Sequence, residues 1–286
     1  MDSGGLSQAP LALPGVEGRL RLAVASDGAG TRLTDLYQRQ PLRLMLPRVE
    51  PDEPALAVMV NSSGGLVGGD RLAIAIRVGE GAALRVTGQA AEKVYRSAGR
   101  ETQIETRLHV GAGGWLELLP QGTIIFDGVN LRRSTELHLA GGRAMLGEVL
   151  ILGRHAMGEA LKAGRLHDAW RVSCSGRLVW ADALHMGEGM EAAVGATAGF
   201  QGARALGTFI YAGPDAGERL DEARELAESG ADPTLRVGAT ALGEVLLVRW
   251  LGAEAALVRR AFGGFWARFR ALAGKWPERL PTIWAI

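Results

Sequence analysis

The chain has 286 residues, 47% hydrophobic and 22% charged, which implies a folded protein with a sizeable core and excludes a disordered tail. Its 41 glycines follow no Gly-X-Y period, so collagen is excluded, and 32 basic against 31 acidic residues leave a net charge of +1 with no basic stripe for nucleic acid. The one cysteine, Cys174, leaves no internal disulfide and suits a reducing cytoplasm, and no run of 18 apolar residues predicts a membrane span.

Residues 1–17 carry Pro, Gly and Ser without periodicity and are expected to form a loose leader, lacking the basic start and apolar run of a secretory signal. A single domain is expected over residues 18–286. The densest glycine cluster is Asn61-Ser-Ser-Gly-Gly-Leu-Val-Gly-Gly-Asp70. A phosphate loop would need a helix after it and, in the nucleotide version, a lysine. Here a strand pattern follows, so a tight multi-glycine turn is expected, with Asp70 accepting hydrogen bonds from local amides.

Arg71 to Val78 places Leu72, Ile74, Ile76 and Val78 on one face of a strand, and Thr102 to Val110 does the same with Ile104, Leu108 and Val110. Val78-Gly-Glu-Gly-Ala leads into Leu84-Arg-Val86, Val110-Gly-Ala-Gly-Gly into Trp115, and Leu139-Ala-Gly-Gly-Arg into Met145. Strand, glycine turn and strand thus recur about every 30 residues, the spacing of stacked repeats. The turns read as tight hairpins, where glycine supplies positive φ.

Between two of these strands lies Thr87 to Ser97, where Glu92, Lys93 and Arg96 read as a solvated charge cluster, or as a surface that a partner reads. Asp127 follows directly on an apolar run. Glu148 sits among Met145, Leu146, Val149 and Leu150. Strand alternation would turn it outward; pointing inward, it would need a partner, with Arg132, Arg133, Arg154 and His155 near in sequence. The five histidines are isolated in sequence, and without His-x-x-x-His or Cys-x-x-Cys pairs no closed zinc or nickel cage is expected. His185-Met-Gly-Glu188 offers a weak, exposed ligand group. No nucleophile elbow is present. Helices are expected near 219–229 and 253–273. The second carries Leu257, Ala261, Phe265, Phe269 and Leu272 on the face that packs against the β body, with Arg259, Arg260, Arg268 and Arg270 pointing elsewhere.

At NSSGGLVGGD (61–70), QAAEKVYRS (89–97), LPQGTIIFDG (119–128), LRRSTEL (131–137) and EVLILGRHAMGE (148–159), the chain resembles the UreD family of urease accessory proteins, called UreH in some bacteria. TRLTDLYQRQPLRLMLP (31–47) and Ile283-Trp284 extend the likeness to both ends. One departure is Gly122, where the family pattern usually has Glu. The resemblance implies a mainly β fold, with stacked sheets in a helical, solenoid-like array and a few helices. It implies a cytoplasmic protein that is not an enzyme and holds no permanent cofactor. Such a protein joins UreF and the GTPase UreG to apo-urease for nickel insertion and offers nickel a transient internal route. The charge balance and hydropathy argue against a nucleic-acid or membrane partner, and homodimerisation within the accessory complex stays open. On this reading the nickel path draws on carboxylates in or beside the motifs: Asp70, Glu92, Glu117, Asp127, Glu148 and Glu159. Each has a purely structural role as its alternative. Spaced carboxylates suit a conduit, because they hold a cation weakly enough to release it. Two rival readings are a β-helical hydrolase using paired carboxylates and a β-solenoid interaction module with no metal role.

Overall fold

The computed structural model describes residues 15–154, 157–230 and 232–284. Most of the leader expected over residues 1–17 lies outside the described residues, as does His155, and regular strand begins at Glu17.

Two sheets face each other. The first runs, edge to edge, β14 (Arg177–Met186), β13 (Gly164–Cys174), β11 (Val129–Leu139), β8 (Thr102–Val110), β5 (Arg71–Val78), β1 (Glu17–Ser26) and β2 (Thr31–Arg39). The second runs β16 (Arg236–Leu242), β17 (Val245–Gly252), β15 (Ala205–Ala212), β12 (Arg143–Leu152), β9 (Trp115–Leu119), β6 (Ala83–Gly88), β4 (Ala55–Asn61) and β3 (Leu42–Met45). Two short strands, β7 (Glu92–Val94) and β10 (Thr123–Ile125), pair with each other, and β10 also pairs with β12. The centres of both sheets are parallel, and antiparallel pairs occur at the flanks.

From β4 to β13 the chain alternates between the sheets, so each turn of the solenoid adds one strand to each. Leu72 lies beside Ile104, and Leu84 beside Leu116, which gives the repeat its period. The inward faces of both sheets meet in one apolar layer that includes Leu22, Leu84, Leu108, Leu116, Leu137 and Leu146. The alternating strand faces are as expected from sequence. The turns are not. Residues 79–82, 111–114 and 140–142 cross from one sheet to the other as arches, and their flanking strands do not pair with each other.

The glycines serve this stacking of arches. Gly81 donates its amide to Ala112 and Gly113 to Gly141, both left-handed at φ 63°. At Gly142 an added Cβ would fall 2.5 Å from the Gly111 carbonyl oxygen. Tight hairpins do occur, at Ser175-Gly176 and at Gly243-Glu244, where the flanking strands are antiparallel neighbours.

Helix α1 (Met190–Gly195) is short, while α2 (Leu220–Ser229) and α3 (Ala255–Gly274) match the two expected helices to within two residues at each end. On α3, Phe262, Phe265, Trp266 and Phe269 are buried against Phe209 and Trp250 of the second sheet, with rings meeting edge to face at 4.9–5.8 Å. Gly147 on β12 makes room for them, since a Cβ there would lie 2.4 Å from the Phe262 ring. Arg270 departs from its expected outward position and is fully buried. Its guanidinium reaches through the aromatic layer to Glu117 at 3.1 Å and Glu53 at 2.8 Å. A charge can stay there because both partners are carboxylates.

A cavity at paired strand breaks

Two adjacent strands of the second sheet are interrupted at the same level. β6 ends at Gly88 and the chain resumes as β7 at Glu92, while β9 ends at Leu119 and resumes as β10 at Thr123. The breaks lie side by side, because Thr87 pairs with Leu119 above them and Glu92 with Thr123 below. Pro120 has no amide to give the ladder. Gly122 turns at φ 105°, and a Cβ there would come within 2.9 Å of the Val149 carbonyl. The Glu expected at this position from the family pattern would therefore need a different backbone.

Behind the breaks, between the sheets, is a cavity of about 300 Å³ lined by Gly88 to Lys93, Pro120, Gly122, Thr123, Arg133, Glu148 and Trp170, with Gly64 and Gly65 along one side. The glycine cluster reaches this position because Leu66 bridges to the strand after the break: its amide donates to Lys93 at 2.7 Å, and it accepts from Tyr95 at 2.8 Å. At Gly65 a Cβ would fall 2.4 Å from the Tyr95 ring, which is why a side chain is excluded there. Three of the motifs singled out in the sequence thus converge on one wall.

Glu92 and Glu148 are the two sequence candidates that the fold brings to this cavity. Their strands lie on either side of β10, and strand spacings place their Cα atoms about 12 Å apart. Glu92 is half-buried and its two oxygens accept from the Asn61 side-chain amide, each at 3.0 Å. It does not join Lys93 and Arg96 in the expected charge cluster, since Arg96 turns to Asp127. Glu148 points inward and is only 7% exposed. Arg133, one of its four sequence neighbours considered as partners, crosses from the opposite sheet and donates Nη1 to Glu148 Oε2 at 2.7 Å. Glu148 Oε1 is buried and has no hydrogen-bond partner among the described residues. Burial pushes both carboxyls above the usual range; the Asn61 amide opposes this at Glu92, and Arg133 opposes it at Glu148.

Asp168, not singled out in the sequence, completes the group. It lies in register with Arg133 on the neighbouring strand and accepts Nε at 2.8 Å and Nη2 at 2.7 Å. Arg133 Nη1 also donates to Thr123 at 3.1 Å. Burial opposes the charge on Arg133, and the Asp168 and Glu148 carboxylates more than reverse that effect. The signal in the sequence was an acidic residue on the otherwise apolar inward face of an alternating strand, flanked on that face by Leu166 and Trp170.

The other candidates lie elsewhere. Glu117 faces α3, on the opposite side of the second sheet from the cavity, and binds Arg85, Arg270 and the indole N–H groups of Trp115 and Trp266. Asp70 accepts from the amides of Val67 and Val16 at 2.9 and 2.8 Å, as a turn aspartate does. Asp127 accepts from the Lys162 and Ala163 amides, and Ala163 leads the causes that hold its carboxyl below the usual range. Glu159 binds Arg154 at 2.6 Å.

The histidines are less isolated than their sequence spacing suggests. His109 and His138 stack at 4.7 Å, and His167 and His185 meet at 5.7 Å, because strand register makes each pair neighbours on the outer face of the first sheet. Among the described residues no group of three or more His, Cys, Asp or Glu could hold a metal ion, and no helix is long and apolar enough to cross a membrane.

Residues 16–285 match the family described as UreD urease accessory protein. The chain is 41% identical over 275 residues to a urease accessory protein UreD of Magnetococcus marinus, covering 95% of each chain. It is 42% identical over 272 residues to one from a Methylobacterium species, covering 94% of each. To one from Xanthobacter autotrophicus it is 42% identical over 270 residues, which is 94% of this chain and 90% of the relative.

Proposed function

The chain belongs to the UreD urease accessory protein family, and from that membership we propose that it matures urease in the cytoplasm, without catalytic turnover of its own. It does so by joining UreF and UreG to apo-urease and giving nickel a passage through the cavity between its sheets. The observation that carries the passage is Glu148 Oε1, a buried carboxylate oxygen without a partner among the described residues, on the wall of a cavity that Glu92 also lines.

The chemistry supports transit more than storage. A cavity of about 300 Å³ has room for a cation that keeps most of its water. Two carboxylates, on Cα atoms about 12 Å apart, can each take one or two sites of a divalent ion's shell, too few between them to close a cage around it.

The experiment co-expresses urease with its accessory proteins and measures nickel per urease, using this chain with Glu148→Gln and Glu92→Gln. Capture of UreF by the variant shows that the complex is intact. The proposal expects nickel content to fall several-fold at limiting nickel; full loading by both variants with an intact complex removes the cavity from the path. Failure of the wild-type chain to capture UreF would sink the scaffold reading.

A further inference from the structure

Two features of the Glu148 end of the cavity are in tension with a passage for cations. Arg133 is fixed in the wall beside Glu148, and the two charges alone sum to zero. A guanidinium free to turn would also present two donors to the two oxygens of Glu148, the preferred arrangement for such a pair, and would leave no oxygen open. Asp168 bears on both: it adds a second carboxylate to the charge balance, and it grips the guanidinium that meets Glu148 through one oxygen. It takes the Nε and Nη2 edge of Arg133 in a two-bond grip of 2.8 and 2.7 Å, which fixes the guanidinium in the orientation where Nη1 is the atom that meets Glu148 and Thr123. The grip is built into the fold, because Arg133 and Asp168 are directly opposed on parallel neighbours β11 and β13. Asp168 is not part of the cavity wall; it stands behind Arg133 and is 4% exposed.

We propose that Asp168 is a positioning residue for cation passage: by holding one edge of Arg133, it leaves Glu148 with one open oxygen and the Arg133–Asp168–Glu148 group with one net negative charge. The inference rests on the reading of the cavity as a nickel passage. Asp168 touches no cation itself. It acts through the orientation and charge of Arg133, and its effect therefore depends on a cation being present at position 133.

The test measures nickel per urease against nickel supplied, in cells co-expressing urease and the full set of accessory proteins, with UreF capture as the check on assembly. Glu148→Gln tests the passage itself. If it and Glu92→Gln both load normally with an intact complex, the passage reading fails, whatever Asp168 does; if Glu148→Gln alone loads normally, the inference about Asp168 is overturned and the passage stands. With Glu148→Gln impaired, Asp168→Asn is expected to load at least about tenfold less nickel at limiting supply, because the group becomes neutral, and to approach wild type when nickel is raised. Asp168→Glu is expected to retain loading. Arg133→Gln/Asp168→Asn, which restores one negative charge on Glu148, is expected to recover it, whereas a merely structural role for Asp168 would make the double variant worse. Wild-type loading by Asp168→Asn, or no recovery in the double variant, overturns the inference and leaves the passage standing. Should Asp168→Asn give no assembled complex, Arg133→Lys/Asp168→Asn keeps the positive charge without the grip; reduced loading is expected, and wild-type loading overturns the inference.

Discussion

Glu117 on β9 and Arg270 on α3 are joined by two hydrogen bonds of 3.1 and 3.3 Å in a site where neither side chain is exposed to solvent. The same carboxylate takes Arg85 Nε at 2.9 Å and the indole N–H groups of Trp115 and Trp266, so both oxygens are committed. Glu53 closes the network from the other side, accepting from Arg85 at 2.7 Å and Arg270 at 2.8 Å. This is the arrangement that fastens the C-terminal helix to the second sheet. Replacing Glu117 by Gln leaves two buried guanidinium groups short of charge and is expected to destabilise the fold by about 3–5 kcal/mol. Urea denaturation measures it; a loss below about 1 kcal/mol would show that the network does not anchor the helix.

Gly147 precedes Glu148 and gives Phe262 and Trp266 their place against β12, with prospective Cβ contacts of 2.4 and 2.8 Å. Gly147→Ala must push back two rings in a packed layer and is expected to cost about 1–3 kcal/mol. Because the obstruction is the Phe262 ring, Phe262→Leu in the same chain is expected to recover part of that loss. Denaturation of the single and double variants decides it, and strict additivity would contradict the steric account.

Gly122 makes a related prediction about the departure noted in the sequence. Its φ of 105° and the 2.9 Å approach to Val149 disfavour any side chain. Gly122→Glu, which supplies the carboxylate that the family resemblance led us to expect, is therefore predicted to lower stability by more than about 1 kcal/mol. It is also predicted to give no gain in nickel loading. A stable variant with improved loading would show that the strand break can rearrange around a side chain.

Asp127 has a folded pKa depressed below its ordinary value of 3.8, chiefly by the Ala163 amide and also by the Lys162 amide and Arg96. A depressed carboxyl contributes stability that is present above the unfolded pKa and is lost as pH falls through the folded value. Wild type is thus expected to exceed Asp127→Asn in Tm by a constant amount above pH 5, with the gap closing below pH 3.8. A gap independent of pH would assign the effect to hydrogen bonding alone.

Burial, with Glu244 as a secondary influence, pushes the Cys174 thiol up to about 11. Only about a thousandth of it is ionised at pH 8, so native protein is expected to react with iodoacetamide far more slowly than urea-unfolded protein. Comparable rates would mean that β13 opens readily at its end.

The sequence made the strands and their buried faces legible wherever one face was polar. β5 and β8 alternate, so Leu72, Ile76, Leu108 and Val110 could be placed inside. β12 could not be read this way. It is apolar on both faces, because one meets the opposite sheet and the other meets α3, so its alternation carried no information about Glu148. Arg270 was misplaced for a related reason: helical spacing sets its direction around the axis but not that Glu117 and Glu53 wait beneath it.

By itself, the sequence determined a mainly β chain with a period of about 30 residues, the approximate limits of two helices, and family membership through its ordered motifs. Tertiary structure alone decided that the recurrent glycine turns are arches between sheets, that two adjacent strands break together, and that Glu92 and Glu148 share a cavity while Glu117 does not. The physical reason is that period and polarity act within a strand. Which residues face each other across the stack depends on the register of strands 28–35 residues apart, as between Arg133 and Asp168, and that register is set by the packing of the whole solenoid.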